Sequence, residues 1–154
     1  MSTDVSELRD HAEISNTLNA MAWCQDRRTW DGLDNVLADR VAIHYAGQAE
    51  PATVDRAKLV SSWRAPLEAL DASQHLLTGF IIDLDGNRAT VTLNENVCLY
   101  DQKVPGGATY RFGTYMNAAL ERLAQGWRIV ALEVTPLWSE GNAAVLRDWQ
   151  PPRD

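Results

Sequence analysis

The sequence predicts an α+β domain in which helices cover one face of a curved, mostly antiparallel sheet. Three observations predict it. Helical spacing dominates the first part of the chain, with one short strand set between helices, and a meander of strands follows. Asp85-Gly86-Asn87 sits between two β-rich runs, and glycine supplies the positive φ that a tight hairpin turn needs. The returning run alternates, with Ala89, Val91, Leu93, Val97 and Leu99 on one face and Thr90, Thr92, Asn94, Asn96, Cys98 and Tyr100 on the other. A curved sheet capped by helices leaves a cone with one open end, and small ligands bind in such concavities.

The elements follow in chain order. Residues 6–28 read as the first helix, because Ile14, Leu18, Met21 and Ala22 recur at helical spacing. Asp26 extends the row Leu18–Ala22–Asp26 and so lies beside the buried stripe, while Arg27 and Arg28 are expected to turn to solvent. Thr29 is expected to cap a second short helix with Trp30, Leu33, Val36 and Leu37 as its inner face and Asp39-Arg40 as its end. Val41, Ile43 and Tyr45 then alternate with Ala42 and His44 as a short strand closed by Gly47. A third helix is expected from Val54 through Leu59, Val60 and Trp63, with Pro66 interrupting it or starting another turn. The hairpin 73–101 is followed by a loop at Val104-Pro105-Gly106-Gly107 and by two more strands, 109–123 and 127–137, around Gln125-Gly126. The expected organisation is a single domain over residues 1–154, its core about 8–142 and its tail 143–154, with no internal repeat.

Composition narrows the function classes. With 14 basic against 21 acidic residues the net charge is −7, and no basic patch is visible, so nucleic acid is not an expected partner. No apolar run approaches the roughly 20 residues of a membrane span. The polar, acidic start is unlike a signal peptide, and a cytoplasmic location is expected, with Cys24 and Cys98 as free buried thiols. No His, Asp, Glu or Cys group has metal-ligand spacing, and there is neither a glycine-rich phosphate loop nor a serine elbow. No metal and no cofactor are expected. Six tryptophans exceed what a core of this size requires, so several are expected near a pocket.

One residue breaks the alternation of the returning strand. Glu95 falls on its apolar face, and a carboxylate there must be paired, protonated or lining a cavity. It could pair with Arg111 on the next strand, or a register irregularity could turn it to solvent. His75, at the mouth of the same hairpin, reads from the residues alone as either a satisfied structural histidine or a base. Asp26 reads as either a surface charge or its partner.

The runs Asn19-Ala-Met-Ala-Trp-Cys-Gln-Asp26-Arg-Arg-Thr-Trp30-Asp-Gly-Leu33 and Ala42-Ile-His-Tyr-Ala-Gly47 resemble the opening of SnoaL-like proteins of the nuclear-transport-factor-like superfamily. So do Ser73-Gln-His75, Gly126-Trp-Arg-Ile129 and Trp138-Ser-Glu-Gly-Asn142, so the resemblance covers about residues 8–142. It implies a conical α+β barrel. The superfamily holds dehydratases, a dehydrochlorinase, polyketide cyclases, isomerases, epoxide hydrolases and binders, among which fold alone does not choose. In its scytalone-dehydratase-like and dehydrochlorinase-like branch, an Asp ending the first helix orients a His on the first long strand, which removes a proton. Asp26 and His75 match those positions. The sequence departs from the branch in having Met21 where a Tyr is common and no second His between Ala89 and Tyr100.

The resemblance therefore implies a cofactor-independent lyase of the dehydratase type, acting on a small cyclic or polyketide-like hydrophobic molecule. A polyketide cyclase or isomerase using the same base, and a non-catalytic binding module, are the alternatives. His75 and Asp26 are the expected catalytic pair, because a neutral imidazole backed by a carboxylate is a usable base near neutral pH. Tyr45, Glu95, Arg111, Tyr115 and Trp30 are the candidate substrate-binding residues, Tyr115 being placed toward the cavity by the resemblance. Trp30, Trp63 and Trp138 otherwise read as core, and His11 and His44 as surface. A homodimer or homotrimer is expected, formed through an outer sheet face carrying Thr90, Thr92 and Val130.

Overall fold

Helix α1 spans Val5–Arg27 and buries Ile14, Leu18, Met21 and Ala22 along one stripe, as the spacing demands. It stops in a two-bond C-cap in which the Thr29 N–H donates to the Cys24 carbonyl and the Arg28 N–H to the Gln25 carbonyl. Arg28 takes the left-handed position of that cap, at φ 57°, where glycine is usual. The coordinates are a computed structural model describing residues 5–147, 149, 151 and 152. Residues 1–4 of the acidic start and 148, 150, 153 and 154 of the expected tail lie outside the described residues.

A 3₁₀ helix, Trp30–Asn35, follows and turns Trp30 and Leu33 inward. Thr29 makes no side-chain cap, contrary to expectation. Helical geometry also ends earlier than Asp39-Arg40, because strand β1 (Leu37–Tyr45) already begins there. Arg40 donates to Asp55 and to the Thr53 carbonyl, and Arg56 to Asp39 and the Leu37 carbonyl, so the charges serve a strand pair. That pair contains an element the periodicity did not reveal, strand β2 (Ala52–Asp55), antiparallel to β1. Helix α2 consequently starts at Arg56, not Val54, and runs to Glu68 with Pro66 inside it.

The second half is the expected meander: β3 (Ala72–Asp85), β4 (Arg88–Tyr100), β5 (Thr109–Leu123) and β6 (Gly126–Gly141). Gly86 makes the β3–β4 turn at φ 59°. Gly79, at φ 66°, makes a bulge between Thr78 and Ile81 that switches the inward set of β3 from Ser73, His75 and Leu77 to Phe80, Ile82 and Leu84. In β4 the alternation holds, with every odd-numbered residue from Ala89 to Leu99 buried, Glu95 included.

The six strands form one sheet in the order β2-β1-β6-β5-β4-β3. β1 and β6 run parallel, and the other neighbours are antiparallel. The outer strands β2 and β3 do not pair with each other, so the cone is open-walled, with α1 against β3 and α2 against β1. Ile14, Leu33, Ile43, Leu59, Leu93 and Ile129 are fully buried at its centre. Asp10 of α1 binds Arg122 and the Trp127 indole N–H, tying the helix to the β5–β6 turn.

After β6, Asn142 caps a short 3₁₀ helix, Ala143–Leu146, by accepting from the Ala144 N–H. Arg147 then donates to the fully buried carboxylate of Asp101 at 2.6 Å, and Trp149 meets Tyr45 edge-on at 5.0 Å. Cys24 and Cys98 are free thiols but half-buried, less enclosed than expected. Among the described residues no helix is long and apolar enough to cross a membrane.

Candidate active site

The end of α1 delivers the first functional side chain. The i, i+4 row that buries Leu18 and Ala22 brings Asp26 against the start of β3. Its carboxylate accepts three hydrogen bonds from that strand. His75 Nδ1 lies 2.6 Å from Oδ1, the His75 backbone N–H donates to Oδ2 at 2.8 Å, and Ser73 Oγ donates to Oδ1 at 3.1 Å. Both side chains are well covered, His75 at 9% and Asp26 at 14% exposure. A carboxylate facing Nδ1 holds the proton there and leaves Nε2 as the lone-pair nitrogen. Among the described residues Nε2 has no hydrogen-bond partner.

His75 stands in the wall of a cavity of about 460 Å³ in the mouth of the cone. Apolar and aromatic side chains line most of it, among them Trp63, Leu67, Phe112, Leu132, Trp138 and Trp149. Trp63 and Trp138 thus line the cavity and are not simple core. Leu137 and Trp138 are partly exposed at the rim.

A second polar group lies on the adjacent strand, on the same face. Glu95 is buried, lines the cavity, and accepts from Thr114 Oγ1 through Oε2 at 2.9 Å; Oε1 has no partner among the described residues. His75 pairs with Val97 across β3 and β4, so Glu95 is its diagonal neighbour on the same face. Side chains at that spacing reach the same space, so both can act on one ligand in the cavity. Tyr45 completes the polar set. Its hydroxyl accepts from the Trp63 indole N–H at 2.8 Å and keeps its own proton for a ligand. Burial pushes the Tyr45 phenol well above its ordinary pKa; the Trp63 bond works against this and the Glu95 charge adds to it. The phenol is therefore a donor across the working pH range.

Three of the proposed binding residues are placed elsewhere. Arg111 faces outward and pairs with Glu140 at 3.2 Å; it opposes Cys98 in the ladder, whereas Glu95 opposes Thr114, so no Glu95–Arg111 pair exists. Tyr115 is 37% exposed on that same outer face, because the inward set of β5 is Tyr110, Phe112, Thr114 and Met116. Trp30 is buried away from the cavity, its indole N–H donating to Glu68 at 2.9 Å.

Two residues escaped the sequence reading. Gln25, one position before Asp26, is buried and lines the cavity, the signal being a polar side chain on the buried stripe of α1. Arg28 does not turn to solvent. Its guanidinium donates to the Asp26 carbonyl at 2.6 Å, Ser73 Oγ at 3.0 Å and the Leu67 carbonyl at 2.8 Å. Among the described residues no group of three or more His, Cys, Asp or Glu could hold a metal ion.

The fold agrees with the comparisons to known proteins. The chain superposes on the Kfla4162 protein of Kribbella flavida with a TM-score of 0.84 at 25% identity, covering 90% of this chain and 97% of that one. It superposes on a scytalone dehydratase-like protein of Novosphingobium aromaticivorans with a TM-score of 0.77 at 12% identity, covering 88% and 89%. For a type 2 hexachlorocyclohexane dehydrochlorinase, LinA, the values are 0.75 and 14%, covering 92% and 94%. No curated protein matches the chain in sequence. The family model of the SnoaL-like domain matches residues 6–133, most of the chain, and the open α+β cone is the fold of its structural neighbours. The protein belongs to the SnoaL-like domain family.

Proposed function

We propose that the protein is a cofactor-independent lyase of the dehydratase type, acting on a small, mostly apolar cyclic or polyketide-like molecule. One observation carries the reading: the Asp26–His75 hydrogen bond backs an imidazole whose other nitrogen opens into an aromatic-lined cavity. Nε2, free of partners among the described residues and facing the cavity, is available to a ligand. The dehydratase and dehydrochlorinase names among the structural neighbours are consistent with it.

In this reading His75 Nε2 takes the acidic hydrogen next to a substrate carbonyl, and Asp26 stabilises the imidazolium that forms. The electron pair moves onto the carbonyl oxygen, where the Tyr45 O–H donates a hydrogen bond to the developing enolate. As the carbonyl re-forms, the C–O bond at the next carbon breaks. Glu95, which lines the cavity beside His75, is the group placed to pass a proton to the leaving hydroxyl, and water departs. His75 returns its proton to solvent and Glu95 regains one. An isomerase or cyclase reading shares the first step and differs in the fate of Glu95. The Thr114 hydroxyl already donating to Oε2 favours that alternative if Glu95 works as a carboxylate.

The test is to incubate the protein in D₂O with a panel of cyclic β-hydroxy ketones. We expect deuterium at the α-carbon and release of the enone. His75→Gln should lower both by roughly 10²–10⁴-fold. Deuterium uptake without loss of water would move the reading to an isomerase. Binding of the ketols with no exchange would leave a binding module.

A further inference from the structure

The mechanism above leaves Arg28 unused, as it does Gln25, and the placement of Arg28 is unusual twice over. It occupies the left-handed position of the α1 C-cap, which favours glycine, and its guanidinium reaches three acceptors on three elements. One of those acceptors is Ser73 Oγ, which itself donates to Asp26 Oδ1, the same oxygen that faces His75 Nδ1. A continuous chain therefore runs from Arg28 through Ser73 and Asp26 to the imidazole.

We propose that Arg28 is a positioning residue for the His75 base: through Ser73 it fixes the Asp26 oxygen that orients the imidazole, and its charge moderates the pull of that oxygen on a proton. The proposal rests on the reading of His75 as the base. Two physical effects support it. A hydroxyl that accepts a charge-assisted bond donates more strongly in turn, so Arg28 sharpens the Ser73 bond to Oδ1. A fixed cation near Asp26 also offsets part of the carboxylate's charge, and a less negative neighbour keeps more of the imidazole neutral. The groups facing His75 are few. Asp26 and Gln25 come from α1, with Arg28 just beyond it; Glu95 comes from β4, Tyr45 from β1, Tyr110 from β5, and the uncharged Trp63 and Leu67 from α2. Arg28 is the one cation joined to this set among the described residues.

The cap geometry makes the proposal testable. Glycine suits φ 57°, so Arg28→Gly keeps the backbone turn while deleting the guanidinium. Ser73→Ala leaves the Arg28 bonds to the Asp26 and Leu67 carbonyls intact and cuts only the link to Oδ1. The experiment is an NMR titration of His75, following its ring nitrogens and the Nδ1 proton, in the full chain and in Arg28→Gly, Arg28→Lys and Ser73→Ala. We expect Arg28→Gly to raise the midpoint by about half a unit. Ser73→Ala should raise it by less and shift the Nδ1 proton signal, and Arg28→Lys should restore most of the wild-type midpoint. Where turnover is measurable, the basic shift should appear in the pH profile of kcat, with KM little changed.

Unchanged midpoints and Nδ1 signals in both Arg28→Gly and Ser73→Ala, with only a lowered Tm, would make Arg28 a brace and overturn the proposal. A lowered midpoint in Arg28→Gly would overturn it too. Should Arg28→Gly fail to fold, Ser73→Ala decides by the same criteria. The titration needs no substrate, so its failure is distinct from a failure of the wild type to exchange substrate hydrogen.

Discussion

Replacing Asp26 by Asn keeps the shape of the side chain and removes its charge, and the three bonds at that carboxylate give the consequence. Asp26 offers two acceptor oxygens to three donors, the His75 ring N–H, the His75 backbone N–H and the Ser73 hydroxyl. Asn has one acceptor oxygen and an NH₂ that only donates. If the oxygen faces the ring, the NH₂ meets the His75 backbone N–H, donor against donor. If the amide flips, the NH₂ faces Nδ1 and forces the proton onto Nε2, the atom that must accept the substrate hydrogen. Each arrangement loses at least one charge-assisted bond worth about 1.5–3 kcal/mol. A lost charge partner together with a wrong tautomer amounts to roughly 10³-fold in kcat, about 4 kcal/mol of barrier. The assay is deuterium exchange at the α-carbon of an active ketol, with the His75 tautomer read from ring-nitrogen NMR in the same sample. Turnover within threefold of wild type, on an unchanged tautomer, would refute the reasoning and return Asp26 to a structural role.

Three further outcomes follow from the geometry. Glu95→Gln keeps an acceptor for Thr114 but has no proton to give, so water loss should fall about 10²-fold while α-hydrogen exchange persists, as kinetics of the two steps would show. Gly113→Ala would drive a Cβ into the Trp138 indole ring, so the ring must leave its place in the cavity wall; ligand binding followed by Trp fluorescence should weaken at least tenfold, with about 1–3 kcal/mol lost in urea unfolding. The Arg122 bond, aided by Trp127, holds the Asp10 carboxyl below its ordinary pKa against the opposing effect of burial. A depressed native value means that this stabilisation is present above the unfolded pKa of about 3.9 and is lost as pH falls through the native one, so an acid-unfolding curve of Asp10→Asn should be flatter below pH 4 than that of the wild type.

The sequence carried the second half of the fold well because its signals are local. The Asp85-Gly86 turn and the strict alternation of β4 depend on neighbours in the chain, and they put Glu95 on the apolar face, leaving open whether it reached the cavity. β2 was illegible because four residues give too few positions to establish a period. The Leu37–Arg40 segment was read as helix because its apolar residues suit a helical face, whereas pairing with β6 and β2 decides it. Tyr115 shows where a resemblance misled: the apolar set Phe112, Met116 and Ala118 already pointed to the opposite face, and the structure follows that pattern. Arg111 fell with it, since both share the outward parity of β5. Asp26 and His75 lie 49 positions apart, and only the resemblance joined them before the fold did. Gln25 and Arg28 were missed for a simpler reason: a charged or polar residue at a helix end ordinarily belongs to solvent.

The parallel pairing of β1 with β6 has a consequence for how the chain is made. β6 sits between β1 and β5 in the sheet although it is the last strand in sequence, and Val36 and Ile129 exchange a backbone bond across that seam. On the ribosome, β1 and β2 emerge with the other flank of β1 unpaired. Their closure waits for partners synthesised some 90 residues later, roughly 5–18 s at ordinary elongation rates. During that interval the β3–β4–β5 meander can form on its own, since its contacts are between adjacent strands. Nascent chains arrested before Gly126 should therefore protect the meander from protease while leaving β1 and β2 open to cleavage.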